Sequence, residues 1–260
     1  MPRAHCLRSP LRASLHRSGV TLIEVLVVVG VIVLLSAVLL PAIGTVRRLS
    51  QQVSCAAQLR QLGVAVQLYH EDSRGRYLAY WMSPTDFWMS RLMPYHDDIN
   101  RMRYCPTARR QSARSDYAGS ATTGWGPEAP PQVWLCGWEG SYGYNEWLNG
   151  AKTSFASWHG GSWAYGNRRW PPASAAHVPM ISDSIWVNQW PERSHQPPAD
   201  LLAGSTQPTV TMQRVCIDRH RRGVNTVFAD GHVDRVRLAG LWDLAWRDGD
   251  TALKPTVLPQ

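Results

Sequence analysis

The sequence is poor in charged residues, in cysteine and in phenylalanine, and each shortage narrows the class of protein. Only 18% of the 260 residues are charged and 44% are hydrophobic, which excludes a disordered chain and leaves apolar material for one or two cores. Five cysteines are too few for a miniprotein built on disulfides. The chain has three phenylalanines but thirteen tryptophans. All the tryptophans lie between Trp81 and Trp246, in the later part of the chain.

Acidic residues are absent from the first 19 positions, which carry four arginines: Arg3, Arg8, Arg12 and Arg17. Without this segment the formal net charge falls from +8 to +4, with 23 basic against 19 acidic side chains. Part of the excess positive charge therefore indicates a targeting signal and not a binding surface, so nucleic acid is not an expected partner.

A second long apolar run is also absent, which limits the chain to one membrane crossing. The 21 residues 20–40 span roughly 31 Å as a helix, close to the ~30 Å hydrocarbon core of a bilayer. The run is longer than the apolar part of a secretory signal, so we expect a retained transmembrane helix. The preceding arginines predict a cytoplasmic N-terminus, although Arg47 and Arg48 weaken the contrast. Residues 73–260 would then lie outside a bacterial inner membrane.

One carboxylate, Glu24, interrupts the apolar run. An ionised carboxylate at the centre of a bilayer costs about 2.5–3.5 kcal/mol unless it finds a partner. Two interpretations are open. Glu24 lies near the interface, where the helix N-terminus favours it, or it pairs with a cation in the membrane.

The segment Ser18-Gly19-Val20-Thr21-Leu22-Ile23-Glu24-Val25-Leu26-Val27 resembles the class III signal of type IV pilins and type II secretion pseudopilins. The resemblance implies that prepilin peptidase removes residues 1–19 by cutting after Gly19 and that Val20 is N-methylated, although the family usually has Phe at that position. Pro41 lies where these proteins commonly have a proline. Expected partners are prepilin peptidase, other pilin or pseudopilin subunits, membrane lipid and the inner-membrane assembly platform.

Cleavage would place a cationic amine on Val20, one helical turn from Glu24. An adjacent subunit's amine could then neutralise the carboxylate in lipid and set the register of stacked subunits. Pro41 cannot bond to the Ala37 carbonyl, which predicts a bend or local melting of the helix, or a simple break where it leaves the membrane.

The resemblance and the apolar pattern together predict an α+β, pilin-like fold. A long N-terminal helix would pack on an antiparallel β-sheet with long irregular loops. Residues 41–72 would continue the helix as an amphipathic segment that ends near Glu71-Asp72. Its buried stripe is predicted to contain Val53, Ala56, Leu59, Gly63, Val66 and Tyr69.

Three short segments and one C-terminal motif resemble a large pseudopilin-like family marked by a His-x9-Asp-Gly signature. The segments are Tyr104-Cys105-Pro106, Ser141-Tyr142-Gly143-Tyr144-Asn145 and Ile181-Ser182-Asp183-Ser184. In the signature, nine residues separate His220 from Asp230-Gly231. Two strands, 224–229 and 232–238, are predicted to form a hairpin closed by Asp230-Gly231 as a type I′ turn.

His220, just upstream of this hairpin, is expected to dock it by bonding to Asp183, Asp230 or a backbone carbonyl. One histidine and one aspartate do not make a ligand set, so no metal is expected there. Catalysis by His220 with Asp230 is the competing hypothesis.

From the remaining acidic residues and cysteines we expect no cofactor, and calcium binding is the open alternative. Asp97-Asp98 and Asp248-Gly249-Asp250 could bind calcium, but solvated turns explain them as well because neither matches an EF-hand. Cys55, Cys105, Cys136 and Cys216 remain after removal of the leader. Cys105 with Cys136 is the preferred disulfide, and burial as reduced thiols is the alternative, above all for Cys55.

Common enzyme motifs are missing: there is no G-x-S-x-G, H-E-x-x-H, phosphate-binding glycine loop or C-x-x-C. We therefore expect no enzymatic activity, and the resemblance implies a structural subunit, a minor one by analogy, of a type IV pilus or a type II secretion pseudopilus. The alternative is a membrane-tethered module that binds glycan or DNA without polymerising, through a tryptophan face formed by Trp125, Trp134, Trp138, Trp158 and Trp163 or through arginines.

Overall fold

The computed structural model describes residues 21–79, 83, 85–96, 98–112, 117–127, 135, 137–150, 170–247 and 249–250. The chain divides into two compact units, Met1–Val46 and Arg47–Gln260. A single helix, α1 (Leu22–Asp72), runs from the first unit into the second. Pro41 lies inside this helix, so the predicted melting or break there is wrong. Proline removes only one backbone bond, and the apolar residues on both sides keep the helix continuous.

The first unit presents an apolar helix surface. Large apolar side chains from Leu22 to Val46 are at least half exposed, and in the most apolar 18-residue stretch of α1 no residue is buried. Among the described residues, α1 is the one helix whose length and composition would let it cross a membrane. A surface of this kind is stable in lipid or against other apolar helices.

The second unit is built around a five-stranded sheet with the order β3-β1-β2-β4-β5. The strands are β1 (Tyr142–Asn145), β2 (Pro179–Asp183), β3 (Asn188–Gln189), β4 (Gly223–Phe228) and β5 (Val233–Arg237). Three pairs are antiparallel, but β3 runs parallel to β1, so the sheet is mixed and the expectation of a purely antiparallel sheet is wrong. The chain reverses direction after β2, so β3 runs parallel to β1. One edge of β2 pairs with β1 and the other with β4, which leaves the outer edge of β1 for β3.

Short helices surround the sheet. They are α2 (Trp88–Leu92), α3 (Ile99–Met102) and α4 (Met212–Val215), with 3₁₀ turns at Met93–Tyr95, Glu146–Leu148, Ala175–His177 and Leu238–Asp243. Among the described tryptophans, Trp88, Trp125, Trp242 and Trp246 are fully buried in the core. The indole N–H of Trp125 donates to the Tyr142 carbonyl at 3.1 Å, which satisfies its buried polar atom.

Within the second unit, the later part of α1 packs on the sheet as expected for an α+β protein. Its buried residues are Cys55, Leu59, Leu62, Gly63, Ala65, Val66 and His70. Of the predicted stripe, Leu59, Gly63 and Val66 are correct, whereas Val53 is 60% exposed. Ala56 and Tyr69 are half-buried. The buried face is rotated relative to the predicted one, since it includes Cys55, Leu62 and His70 and leaves Val53 outside.

The C-terminal hairpin lies within a residue or two of its predicted bounds, but its turn differs. Gly231 has φ +89°, and Asp230 is not among the residues with positive φ. The Gly231 N–H donates to the Phe228 carbonyl and the Phe228 N–H to the His232 carbonyl, each at 2.9 Å. This pattern is a three-residue loop, a type I turn followed by a glycine in the left-handed region, so the type I′ prediction is wrong.

Candidate functional site

Glu24 closes the start of α1. Its Oε2 accepts hydrogen bonds from the Thr21 backbone N–H at 2.7 Å and the Thr21 hydroxyl at 2.9 Å. The Glu24 N–H donates back to Thr21 Oγ1 at 3.3 Å. This reciprocal arrangement is a capping box, and the Thr-x-x-Glu spacing that signals it was overlooked in the sequence. Gly19 and Val20, the predicted cleavage and methylation positions, lie outside the described residues.

A second candidate site lies in the core, where four side chains from four distant segments meet. Cys55 comes from α1, Cys105 from the loop after α3, Asp183 from the end of β2 and His220 from the segment before β4. All four are buried, and their possible ligand atoms lie within 4.8 Å of one another. We call these residues the Cys₂AspHis cluster.

The short contacts of the cluster converge on one imidazole nitrogen. His220 Nε2 lies 3.2 Å from Asp183 Oδ2 and 3.3 Å from Cys105 Sγ. Cys55 Sγ lies 3.7 Å from each oxygen of Asp183. A nucleophilic triad would use two different ring nitrogens, one for the nucleophile and one for the acid. The cluster therefore lacks the geometry of a triad and has that of groups facing a common centre.

A second layer of groups contacts three of the four side chains. The Asn225 N–H donates to Asp183 Oδ2 at 2.9 Å, and the Tyr142 hydroxyl donates to Cys55 Sγ at 3.3 Å. The Thr107 hydroxyl lies 2.9 Å from Cys105 Sγ. Each cysteine and the aspartate thus has a polar neighbour that restricts its rotamer.

Arg219 supplies the buried positive charge. Its side chain is fully buried, and Nη1 lies 3.4 Å from Asp183 Oδ1. The guanidinium also donates to five backbone carbonyls, those of Ser120, Ala121, Thr123, Ser141 and Ser184, at 2.6–3.3 Å. Arg219 therefore compensates the carboxylate and ties the loop 120–123 to the sheet.

Burial and mutual contact shift the protonation of the cluster. Burial favours the neutral acid, but hydrogen bonding and charge from His220, followed by the charge of Arg219, lower the pKa of Asp183. Burial would lower the pKa of His220, yet Asp183 and Cys105 outweigh it and raise that pKa to about 9. Burial raises the pKa of Cys55 well above its usual value.

For Cys105, burial acts to raise the pKa, but hydrogen bonds from Cys55 and His220 and the charge of Arg219 lower it to about 6. The shifts of Cys105 and His220 thus both favour a thiolate beside an imidazolium. The thiol side chains are inaccessible, since Cys55 and Cys105 are 0% exposed. No substrate could reach Cys105 without local opening.

The structure resolves which predicted partner His220 takes: it is Asp183, not Asp230. Asp230 lies beyond the other end of β4, where its carboxylate pairs with His232 Nδ1 at 2.6 Å on the surface. The fold also brings Cys55 and Cys105 to His220 and Asp183, so four possible ligands meet where the sequence indicated one histidine and one aspartate. The short segments around Cys105 and Asp183 had been singled out in the sequence, but only the fold joins them.

The predicted disulfide and the calcium alternatives remain predictions. Cys105 has no disulfide partner among the described residues, and its predicted partner Cys136 lies outside them. Asp98 caps α3 by accepting from the Arg101 N–H at 3.2 Å, and Asp97 is not among the described residues. Asp250 accepts from the Arg247 N–H at 3.1 Å, and Asp248 is likewise not described.

The predicted tryptophan face is only partly within the described chain. Trp125 is fully buried, Trp138 is half-buried, and Trp134, Trp158 and Trp163 lie outside the described residues. Comparison with known proteins gives no relative: no family model, no curated protein and no solved structure matches the chain. A function must therefore be argued from the residues themselves.

Proposed function

We propose that the chain is a non-enzymatic structural subunit, a minor one, of a type IV pilus or a type II secretion pseudopilus. It would be held in the bacterial inner membrane by residues 20–40, with its N-terminus cytoplasmic and its second unit outside. The observation that carries the proposal is the division of α1 into an exposed apolar part and a part buried in the second unit.

The exposed part fits both lipid and a bundle of like helices. Its apolar side chains point in all directions, so any lateral face can pack against another helix or against acyl chains. A simple anchor needs nothing more than this surface. Assembly into a filament, however, needs a feature that fixes one helix against the next along the axis.

Glu24 can supply that feature. Both capping bonds from Thr21 end on Oε2, and among the described residues no cation pairs with the carboxylate. Oε1 can therefore accept a hydrogen bond from the amine that cleavage after Gly19 would create on a neighbouring subunit. In lipid such a pair offsets the cost of the isolated charge, so the register that forms it is preferred.

Removal of residues 1–19, the leader peptide, is tested first by intact-mass analysis of the protein purified from its host membrane. We expect a mass that lacks residues 1–19 and carries one additional methyl group on Val20. A mature chain that begins at Met1, or at any residue other than Val20, would overturn the proposal.

Two variants then distinguish a role of the Glu24 charge in assembly from its role in capping the helix. Glu24→Gln keeps a side-chain acceptor for the capping box but removes the charge, whereas Thr21→Val removes the cap and keeps the carboxylate. We expect Glu24→Gln to be processed but lost from the sheared filament fraction, and Thr21→Val to be incorporated. The reverse result, or equal loss in both variants, would mean that Glu24 acts as a helix cap only.

A further inference from the structure

We propose that the Cys₂AspHis cluster is a structural Zn²⁺ site, in which Cys55, Cys105, Asp183 and His220 are the four ligands and the ion joins α1 to the sheet. The inference is independent of filament assembly, because all four residues belong to the second unit. The ligand atoms come from segments separated by 50, 78 and 37 residues along the chain. A single ion would thus connect parts of the fold that no described disulfide connects.

The spacing of the ligand atoms fits a tetrahedron around zinc. With Zn–S bonds of about 2.3 Å and Zn–N or Zn–O bonds of about 2.0–2.1 Å, tetrahedral edges are roughly 3.6 Å for S···N and S···O and roughly 3.3 Å for N···O. The corresponding distances are 3.3 Å for Cys105–His220, 3.7 Å for Cys55–Asp183 and 3.2 Å for His220–Asp183. Shifts of a few tenths of an ångström bring these three edges to tetrahedral length, and the other three, which are bounded at 4.8 Å, shorten by up to about 1 Å when the ion binds.

The types of ligand select the metal. Two thiolates and an imidazole suit Zn²⁺, while Ca²⁺ and Mg²⁺ require sets of oxygen ligands. All four positions are filled by protein and all four residues are buried, which is the pattern of a structural site and leaves no open position for a substrate.

Charge and the second layer also favour an ion. A divalent cation that replaces two protons leaves the net charge of the buried site unchanged, so Arg219 and the cluster stay balanced. The Asn225 N–H, the Tyr142 hydroxyl and the Thr107 hydroxyl contact ligand atoms and can orient them toward a shared centre.

The experiment uses the full chain, without a polyhistidine tag, purified in detergent with a reductant. Metal content is measured by elemental mass spectrometry before and after chelation, and the apoprotein is titrated with Zn²⁺ and with Co²⁺. We expect one equivalent of Zn²⁺ and, with Co²⁺, thiolate-to-cobalt charge-transfer absorption. Free Zn²⁺ at about 100 times its Kd should raise the Tm of the apoprotein by roughly 5–10 °C, and Mg²⁺ or Ca²⁺ should not.

A matched pair of cysteine variants tests the ligands. Cys105→Ala should lose the bound equivalent and the charge-transfer band, whereas Cys216→Ala, which removes a buried thiol outside the cluster, should keep both. The apoprotein titration of the unmutated chain remains decisive if Cys105→Ala fails to fold. Equal stoichiometry in the two variants, no binding by the folded apoprotein, or a Cys55–Cys105 disulfide in metal-free protein from the native membrane would overturn the proposal.

Discussion

Gly63 of α1 faces Val227 of β4 so closely that a Cβ at residue 63 would lie 2.7 Å from Val227 Cγ2. This contact is shorter than any van der Waals approach, so the helix and sheet meet there only because residue 63 lacks a side chain. We expect Gly63→Ala to lower the free energy of unfolding by about 1–3 kcal/mol in spite of the better helix propensity of alanine. Urea unfolding in detergent measures the change.

Two further variants make this prediction specific. Gly30 lies on the same helix, and a methyl group there would have no neighbour within 4 Å other than adjacent residues and the helix's own backbone, so we expect Gly30→Ala to leave the unfolding of the second unit unchanged. Val227→Ala should make room for the new methyl, so the cost of Gly63→Ala should shrink in that background. An unchanged cost there would contradict the packing explanation.

The second prediction concerns Gly231 at the hairpin tip, where the backbone conformation and a close contact with α1 would each disfavour a larger residue. Gly231 has φ +89°, and a Cβ on it would lie 2.5 Å from Gln67 Nε2 on α1. Gly231→Ala should therefore cost about 1–2 kcal/mol from backbone conformation plus the displacement of a side chain. In a Gln67→Ala background the second contribution is absent, and we expect a smaller loss. Equal losses in both backgrounds would show that the hairpin tip does not rest on the helix.

Arg219 gives the third prediction, because its buried guanidinium makes bonds that lysine cannot reproduce. Its Nε and both Nη atoms donate to carbonyl groups, and Nη1 also approaches Asp183. Arg219→Lys should leave several of these carbonyls without donors and destabilise the fold by roughly 3–5 kcal/mol. Arg237→Lys, an exposed change on β5, should fall within about 0.5 kcal/mol of the unmutated chain. Thermal unfolding of both variants is the measurement, and a mild Arg219→Lys phenotype would contradict the role assigned to the guanidinium.

Local patterns in the sequence predicted the local parts of this structure. The apolar run predicted the exposed part of α1, and two strand-like runs on either side of Asp230-Gly231 predicted the hairpin of β4 and β5. The parallel pairing of β3 could not be predicted, because β3 is two polar residues, Asn188–Gln189, whose place depends on which sheet edge is free. Elements of this kind are fixed by tertiary contacts and carry no periodicity of their own.

The Cys₂AspHis cluster shows the same limit at the site. Segments around Cys105 and Asp183 were singled out in the sequence, and Asp183, one of three partners predicted for His220, is the one it contacts. Cys55 and Cys105 meet because of the rotation of α1 against the sheet, and the predicted stripe differs from the observed one by placing Val53 in the core instead of Cys55. Which polar side chains of distant segments meet is determined by the tertiary fold and cannot be predicted from local sequence patterns.

His70, at the end of α1, supplies a pH-dependent prediction. Its ring is buried and stacks on Trp170 with 3.9 Å between ring centroids, and its Nδ1 bonds to the Arg76 carbonyl at 2.7 Å. Nε2 has no hydrogen-bond partner among the described residues. Burial is the main cause that lowers the pKa of His70 from 6.5 to about 4. Charging this ring is therefore unfavourable in the folded state.

A histidine whose folded pKa is below its unfolded pKa contributes full stability above pH 6.5 and loses it as the pH falls toward 4, because the unfolded chain binds the extra proton. The loss attributable to His70 is at most about 3 kcal/mol. His70→Phe keeps a ring against Trp170 but cannot titrate, so its stability should fall less than that of the unmutated chain between pH 7 and 4.5. Urea unfolding at several pH values gives the two slopes, and parallel slopes would show that His70 is already protonated, or is exposed, in the folded protein.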